Sequence, residues 1–304
     1  MNRFFLQIQL FLFLVPFIGF SQKSEGYINY KNSDIYYQSY GKGQPLLIIN
    51  GGPGMNSRGF EGLAQELGKK YYTILFDQRG TGNSKLTNIS SETISMDLMV
   101  EDIEDIRKKL NIESWTILGQ SFGGILANYY AVKYPEKVSG LIHSSSAGIN
   151  LDFLQQNGIE SSLTPTEIDS LNYWRAQSKE TGSEESDYMS RFYLAKAYLH
   201  GNKYEHAIAE RLGQANMQIN SIVWSELRES NYDLSKELSS FDKPVLILQG
   251  EFDVLKPDVA YKLKDVFKNS TVSIIKGSGH YGWLENPNDY FEVIDSFMTE
   301  LKRK

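Results

Sequence analysis

Gly119-Gln120-Ser121-Phe122-Gly123 follows the apolar run WTIL at residues 115–118 and leads into a helix-forming stretch at 124–134. A serine at the tip of a strand-to-helix turn is held in a strained backbone conformation. The flanking glycines, having no Cβ, let strand and helix close around it. The strain lifts the Ser121 hydroxyl over the sheet edge, where a base and a substrate carbonyl can both reach it. As letters alone, G-x-S-x-G is a common helix-entry turn. Its weight comes from the strand before it, the helix after it and the partners found elsewhere in the chain.

Outward from this turn, the runs at 45–50 (PLLIIN), 72–76, 138–143, 244–249 and 271–275 are continuously apolar, as expected of strands covered on both faces. Amphipathic helical stretches at 60–69, 93–110, 124–134, 259–266 and 287–301 alternate with them. In the second, Leu98, Ile103, Ile106 and Leu110 recur at helical spacing; in the last, Asn286 can cap the helix and Pro287 fits its first turn. Residues 26–30 and 34–40, divided by Lys31-Asn32-Ser33, read as an opening antiparallel hairpin. This alternation predicts an α/β fold with a mostly parallel sheet flanked by helices on both faces.

The rhythm breaks between 148 and 241, where the chain is helical and aromatic. Thr164-Pro165-Thr166-Glu167 forms a capping box with proline in the first turn. Ser183 opens a helix carrying Tyr188, Phe192, Tyr193 and Tyr198, and Trp224 and Leu227 mark another. The sheet rhythm resumes at Pro244 and needs the earlier strands, so the segment reads as a helical lid inserted after the sixth strand rather than as an independent domain. The expected organisation is a signal peptide at 1–21, core at 22–147, lid at 148–241 and core again at 242–304.

The signal reading rests on Arg3, an apolar stretch at 4–20 and the small residues Gly19 and Ser21 before Gln22. It predicts an exported protein, periplasmic or secreted, with no stable membrane association after cleavage. An uncleaved N-terminal anchor is the alternative. A net charge of −6, with 31 basic residues spread along 304, argues against a nucleic-acid partner. The absence of cysteine removes disulfides, thiolate nucleophiles and cysteine-ligated metals, and no two of the four histidines stand at metal-ligand spacing.

Serine needs a base. His280, in the loop Gly277-Ser278-Gly279-His280 after a predicted strand, is the expected one. His143 ends a buried strand and reads as a core histidine, while His200 and His206 fall in the lid. The imidazole needs a carboxylate to fix its tautomer. Asp253, in Gly250-Glu251-Phe252-Asp253, is preferred to Glu251 because it lies farther past the strand end. The order Ser121, Asp253, His280 is that of an α/β-hydrolase. The oxyanion donors are expected to be the amides of Phe122 and of Gly52, in Asn50-Gly51-Gly52-Pro53-Gly54. That loop lacks the Gly-Lys-Ser/Thr of a phosphate cradle.

Together these pieces resemble the α/β-hydrolase superfamily, and more narrowly the proline iminopeptidase group of serine aminopeptidases. Asn50-Gly51-Gly52-Pro53-Gly54, Asp77-Gln78-Arg79-Gly80-Thr81-Gly82-Asn83-Ser84 and Gly119-Gln120-Ser121-Phe122-Gly123 carry the resemblance, which covers the core but not the lid. It implies that Asp77 and Arg79 brace the neighbouring nucleophile turn. Two positions depart from the group: Asn50 stands where histidine is usual, and Val254 where some relatives carry an amino-terminus-binding glutamate.

The resemblance implies a serine hydrolase that removes N-terminal proline or small apolar residues from short peptides, with no metal or organic cofactor. A substrate ammonium requires compensating carboxylates. Glu205, Glu210, Glu226 and Glu229 of the lid could supply them, with Glu210 and Glu226 preferred, and Trp224 could wall the side-chain pocket. A carboxylesterase or lactonase uses the same machinery without an ammonium site. A non-catalytic ligand binder is the remaining alternative. The serine in the turn disfavours dehalogenase and epoxide-hydrolase chemistry.

Overall fold

The computed structural model describes residues 23–30, 33–155 and 158–303. The expected signal segment lies outside them. Strands β1 (Ser24–Tyr30), β2 (Ser33–Tyr40), β3 (Pro45–Ile49), β4 (Tyr72–Phe76), β5 (Trp115–Gln120), β6 (Val138–Ser144), β7 (Val245–Gly250) and β8 (Ser270–Ile275) form one sheet in the order β1-β2-β4-β3-β5-β6-β7-β8. The β1–β2 and β2–β4 pairs are antiparallel and the remaining pairs parallel. From β3 the chain crosses to β4 on one side, returns to β5 and continues to β6 on the other. The strand order therefore switches between β3 and β5, and the carboxyl edge beside such a switch is where a ligand crevice forms in these sheets.

Helices α1 (Glu61–Leu67), α2 (Met96–Lys109) and α3 (Phe122–Lys133) connect the early strands, and α9 (Pro257–Val266), α10 (Gly282–Glu285) and α11 (Pro287–Arg303) accompany the last two. Between β6 and β7 run α4 (Pro165–Thr181), α5 (Glu184–Lys196), α6 (Glu205–Leu212), α7 (Met217–Glu229) and α8 (Ser235–Leu238). Alternate strand residues face opposite layers, so the apolar runs divide between two cores. Leu47, Ile49, Ile117 and Ile247 meet α2, α3 and α9; Leu46, Ile48, Leu118 and Leu248 meet α1 and α11.

The insertion between β6 and β7 has little core of its own, a cluster of Leu163, Leu171 and Ala197. Ile219, Val223 and Leu227 of α7 join the first main core, and Ala195, Ile208 and Ala209 join the second. Helix ends follow the local rules. Thr164 and Glu167 exchange the two bonds of a capping box at α4. Ser95 Oγ accepts from Leu98 N at 3.2 Å to start α2, whose last turn carries Arg107, Lys108 and Lys109 against the negative end of the dipole. Among the described residues no helix is long and apolar enough to cross a membrane.

Candidate active site

Ser121 sits between β5 and α3 at φ 54°, ψ −122°, a conformation few non-glycine residues adopt. The main chain holds it there. Its N–H is shared between the carbonyls of Ser144 and Ser145, each at 3.1 Å, and its carbonyl accepts from Gly124 and Ala147, each at 3.0 Å. The turn closes only because its neighbours lack side chains. A Cβ on Gly119 would run into the Gly123 carbonyl, and one on Gly123 into the Ile49 carbonyl.

The loop after β3 lies directly against this turn: a Cβ on Gly51 would stand 2.7 Å from Ser121 Cβ. Gly52 has φ 72°, which glycine adopts freely. The amides of Gly52 and of Phe122, the first residue of α3, have no intramolecular acceptor among the described residues. Asn50 is buried and spends its Nδ2 on the carbonyls of Gly51 and Met55, both at 3.1 Å, so it shapes this loop. The sequence resemblance implied that Asp77 and Arg79 brace the nucleophile turn, and the structure corrects this. Asp77 accepts from Ser57 N and Oγ at 2.8 and 2.7 Å and from Asn83 N at 2.7 Å, while Arg79 forms a buried two-pronged pair with Asp102 on α2. Burial raises the Asp102 carboxyl, and the Arg79 charge opposes that rise. The motif braces the loop after β3 and anchors α2.

On the other side of the crevice, His280 Nδ1 meets Asp253 Oδ1 at 2.8 Å, with side-chain exposures of 4% and 0%. Asp253 Oδ1 also accepts from Leu255 N at 3.0 Å. With Nδ1 turned to the carboxylate, Nε2 is the ring's remaining proton acceptor. Glu251 is exposed and accepts from Gly277 N at 2.9 Å, clipping the two loops together rather than meeting the imidazole. His143 is fully buried, with Nδ1 3.1 Å from Ser146 Oγ, and burial lowers its pKa to about 3.

Two positioning side chains escaped the sequence reading. Glu285 accepts from His200 N at 2.8 Å, Gly201 N at 2.9 Å and Gly279 N at 2.7 Å, tying the end of the insertion's first helical pair to the histidine loop. Gln120 Nε2 donates to the His280 carbonyl at 3.3 Å. Glu285 follows His280 by five residues on α10, and nothing in that spacing signals that its carboxylate turns back.

Ser121 and His280 line one cavity of about 460 Å³, with Gly52 and Phe122 beside them. The insertion supplies Phe153, Leu154, Ile159, Tyr198, Asn220 and Trp224 to its wall, and Val254 and Leu255 close another side. None of the described residues lining it is a carboxylate or an ammonium. Trp224 lines this wall, edge-on to Phe122 with ring centres 6.0 Å apart. Glu210 and Glu226 do not. Glu210 is exposed, one step of 100° off the face of α6 that buries Ile208, Ala209 and Arg211. Glu226 accepts from Met96 N at the start of α2, at 3.0 and 3.2 Å from its two oxygens, and burial raises its pKa. Glu205 is buried against Lys196 at 3.5 Å, and Glu229 is exposed.

A family model described as the alpha/beta hydrolase fold matches residues 44–287. The chain belongs to that family. A proline iminopeptidase of Clostridioides difficile (strain 630) is 26% identical over 294 residues, spanning 91% of this chain and 98% of the relative. Among solved structures, VinJ superposes with a TM-score of 0.73 at 18% identity, over 91% of this chain and 99% of that one. The proline iminopeptidase of Mycobacterium smegmatis gives 0.70 at 22% identity, over 91% and 98%. In this hydrolase the family's mostly parallel sheet carries the Ser121 turn and the Asp253 and His280 loops along one carboxyl edge.

Proposed function

We propose that this hydrolase cleaves acyl bonds through Ser121, His280 and Asp253, and that its substrates are uncharged, with an apolar acyl group: small carboxylic esters or lactones. His280 takes the Ser121 proton as Oγ bonds to the carbonyl carbon. The carbonyl π electrons move onto oxygen, which the amides of Gly52 and Phe122 receive. Collapse expels the alkoxide, which takes the proton from His280. Water, deprotonated by the same imidazole, then releases the acid and restores Ser121.

The observation that carries the substrate class is the cavity wall. An ammonium brought into an apolar cavity without a carboxylate loses several kcal/mol of hydration with nothing to replace it. The residues lining the catalytic cavity offer none, and Asp253 is engaged by His280. The helical insertion acts here as the lid, since its aromatic and aliphatic side chains form that wall. The segment 1–21 supports action outside the cytoplasm.

Removal of N-terminal proline or small apolar residues from peptides is the second reading. The near full-length similarity to proline iminopeptidases favours it. So does an adjoining cavity of about 270 Å³ that shares Ala147 and Phe153 with the first and is lined by Asp258 and by Asp152, the latter already paired with Lys262. Turnover of p-nitrophenyl butyrate and a γ-lactone against prolyl-naphthylamide separates the two. Ester turnover at least about 100-fold above the amide is expected, a ratio worth about 2.7 kcal/mol. Val254→Glu should narrow the ratio by placing a carboxylate in the wall. Efficient prolyl-amide cleavage by the native enzyme, with poor ester turnover, discards the ester reading.

A further inference from the structure

Arg211 is the one strongly buried cation near the site whose charge no carboxylate answers among the described residues. It projects from α6 of the insertion, 3% exposed, with its guanidinium carbon 4.5 Å from the centre of the Phe60 ring. Gly59 leaves room for it: a Cβ there would stand 3.1 Å from Arg211 Cδ. Nη2 donates to the Gly51 carbonyl at 2.9 Å, while Nε and Nη1 are buried and meet no carbonyl or carboxylate among the described residues. The other buried arginines behave differently, Arg79 pairing with Asp102 and Arg107 with Glu104. A buried charge that no carboxylate answers is unfavourable to folding, so its retention calls for a role outside stability.

The acceptor indicates the role. The Gly51 carbonyl and the Gly52 N–H are opposite ends of one peptide unit. A cation donating to the carbonyl draws electron density from the amide nitrogen and makes its N–H a stronger donor. It also fixes the plane of a peptide that glycine leaves free to rotate. In a dry environment the charge stands one peptide away from the oxygen on which negative charge develops.

We infer that Arg211 is the positioning residue of the oxyanion hole, acting through the Gly51–Gly52 peptide to stabilise the tetrahedral oxyanion more than the neutral substrate. The inference rests on acyl transfer by Ser121. Its field reaches the cavity wall: burial raises the Tyr198 phenol and the Arg211 charge opposes that rise, and at the buried Tyr281 phenol Arg211 acts by charge and by hydrogen bonding. The insertion is then more than a cover, because it supplies a positive charge behind the loop after β3.

The test uses the whole protein with Arg211→Met, similar in length and uncharged, and Arg211→Lys, which keeps the charge. Active sites are counted with a fluorophosphonate. Then kcat and KM are measured on p-nitrophenyl butyrate, with the Ki of an alkyl boronic acid, whose serine adduct mimics the tetrahedral anion. Arg211→Met should lower kcat roughly 10- to 30-fold, raise the boronate Ki by the same factor and leave KM within about two-fold. Its Tm should equal or exceed the native value, since an unpaired buried charge is gone. Arg211→Lys should recover part of both losses. If Arg211→Met does not fold, Arg211→Gln carries the same readouts. Native kcat per titrated site in the uncharged variant overturns the inference, as does a fall in Tm and kcat with the boronate Ki unchanged. A native enzyme that labels while the variants match it defeats this inference alone. A native enzyme that does not label defeats the hydrolase reading and this inference together.

Discussion

The two sides of the crevice are held by different means. The nucleophile side is main chain against main chain: Ser121 is fixed by four backbone contacts, and the glycines around it leave no space for a Cβ. The acid–base side has main-chain bonds too, Phe252 N to the Ser278 carbonyl at 2.9 Å and His280 N to the Tyr198 carbonyl at 2.8 Å, but adds a seam of side chains. Glu285 gathers three amides, Glu251 holds Gly277, and Gln120 reaches the His280 carbonyl. The His200 ring lies flat on Phe252, centres 3.8 Å apart, immediately before Asp253. A backbone turn has one conformation or none. A side-chain seam can loosen by degrees, and it joins the imidazole to the helical insertion that forms the cavity wall.

The contrast breaks most severely at Gly123. Gly123→Ala drives a methyl into the Ile49 carbonyl, a backbone atom of β3 that cannot step aside. The expected loss is about 3 kcal/mol or more, read from urea unfolding of the variant. A fully stable Gly123→Ala enzyme would show that the turn is not closed by backbone contact. Glu285→Ala should act on the other side and in another currency. Water can reach the freed amides of His200 and Gly201, so stability falls by only about 1–2 kcal/mol. Meanwhile kcat per folded molecule falls roughly 10-fold as the His280 loop loses its register. Unchanged kcat beside a lowered Tm would reduce Glu285 to a structural tie.

The smallest effect concerns His143, whose Nδ1 contacts Ser146 Oγ behind the turn. Burial keeps its imidazole neutral from the ordinary 6.5 down to about 3. In that window the unfolded chain binds a proton that the folded chain does not, so stability falls as pH is lowered. The slope from this group is at most about 1.4 kcal/mol per pH unit. Unfolding free energies at pH 7, 6 and 5 for the native enzyme and His143→Gln should show a shallower acid slope in the variant. Parallel slopes would mean that other groups dominate.

Much of the first side could be read from residues alone. Apolar runs located the strands, and glycines at fixed offsets from Ser121 announced a turn that only they can close. Strand-to-loop succession also pointed to Asp253 and His280. The insertion was visible as broken rhythm, and Thr164-Pro165-Thr166-Glu167 gave one helix start. What stayed hidden depends on rotation about helices and on long-range contact. Glu210 and Arg211 are adjacent, yet the first faces solvent and the second reaches Gly51. Glu226 looked free to meet a substrate, but it caps a helix 130 residues away in the chain. Asp77 and Arg79 sit in a recognisable motif whose targets, Ser57 and Asp102, no local spacing could identify.

The most direct test is the intact mass of the protein after treatment with a fluorophosphonate, with peptide mapping of the adduct. A single adduct on Ser121 is expected in the native enzyme. None is expected in Ser121→Ala, and labelling should be slower by roughly 10³-fold or more in His280→Ala, since the hydroxyl then lacks its base. An adduct on another residue, or labelling of Ser121 that proceeds at the native rate without His280, would contradict the account.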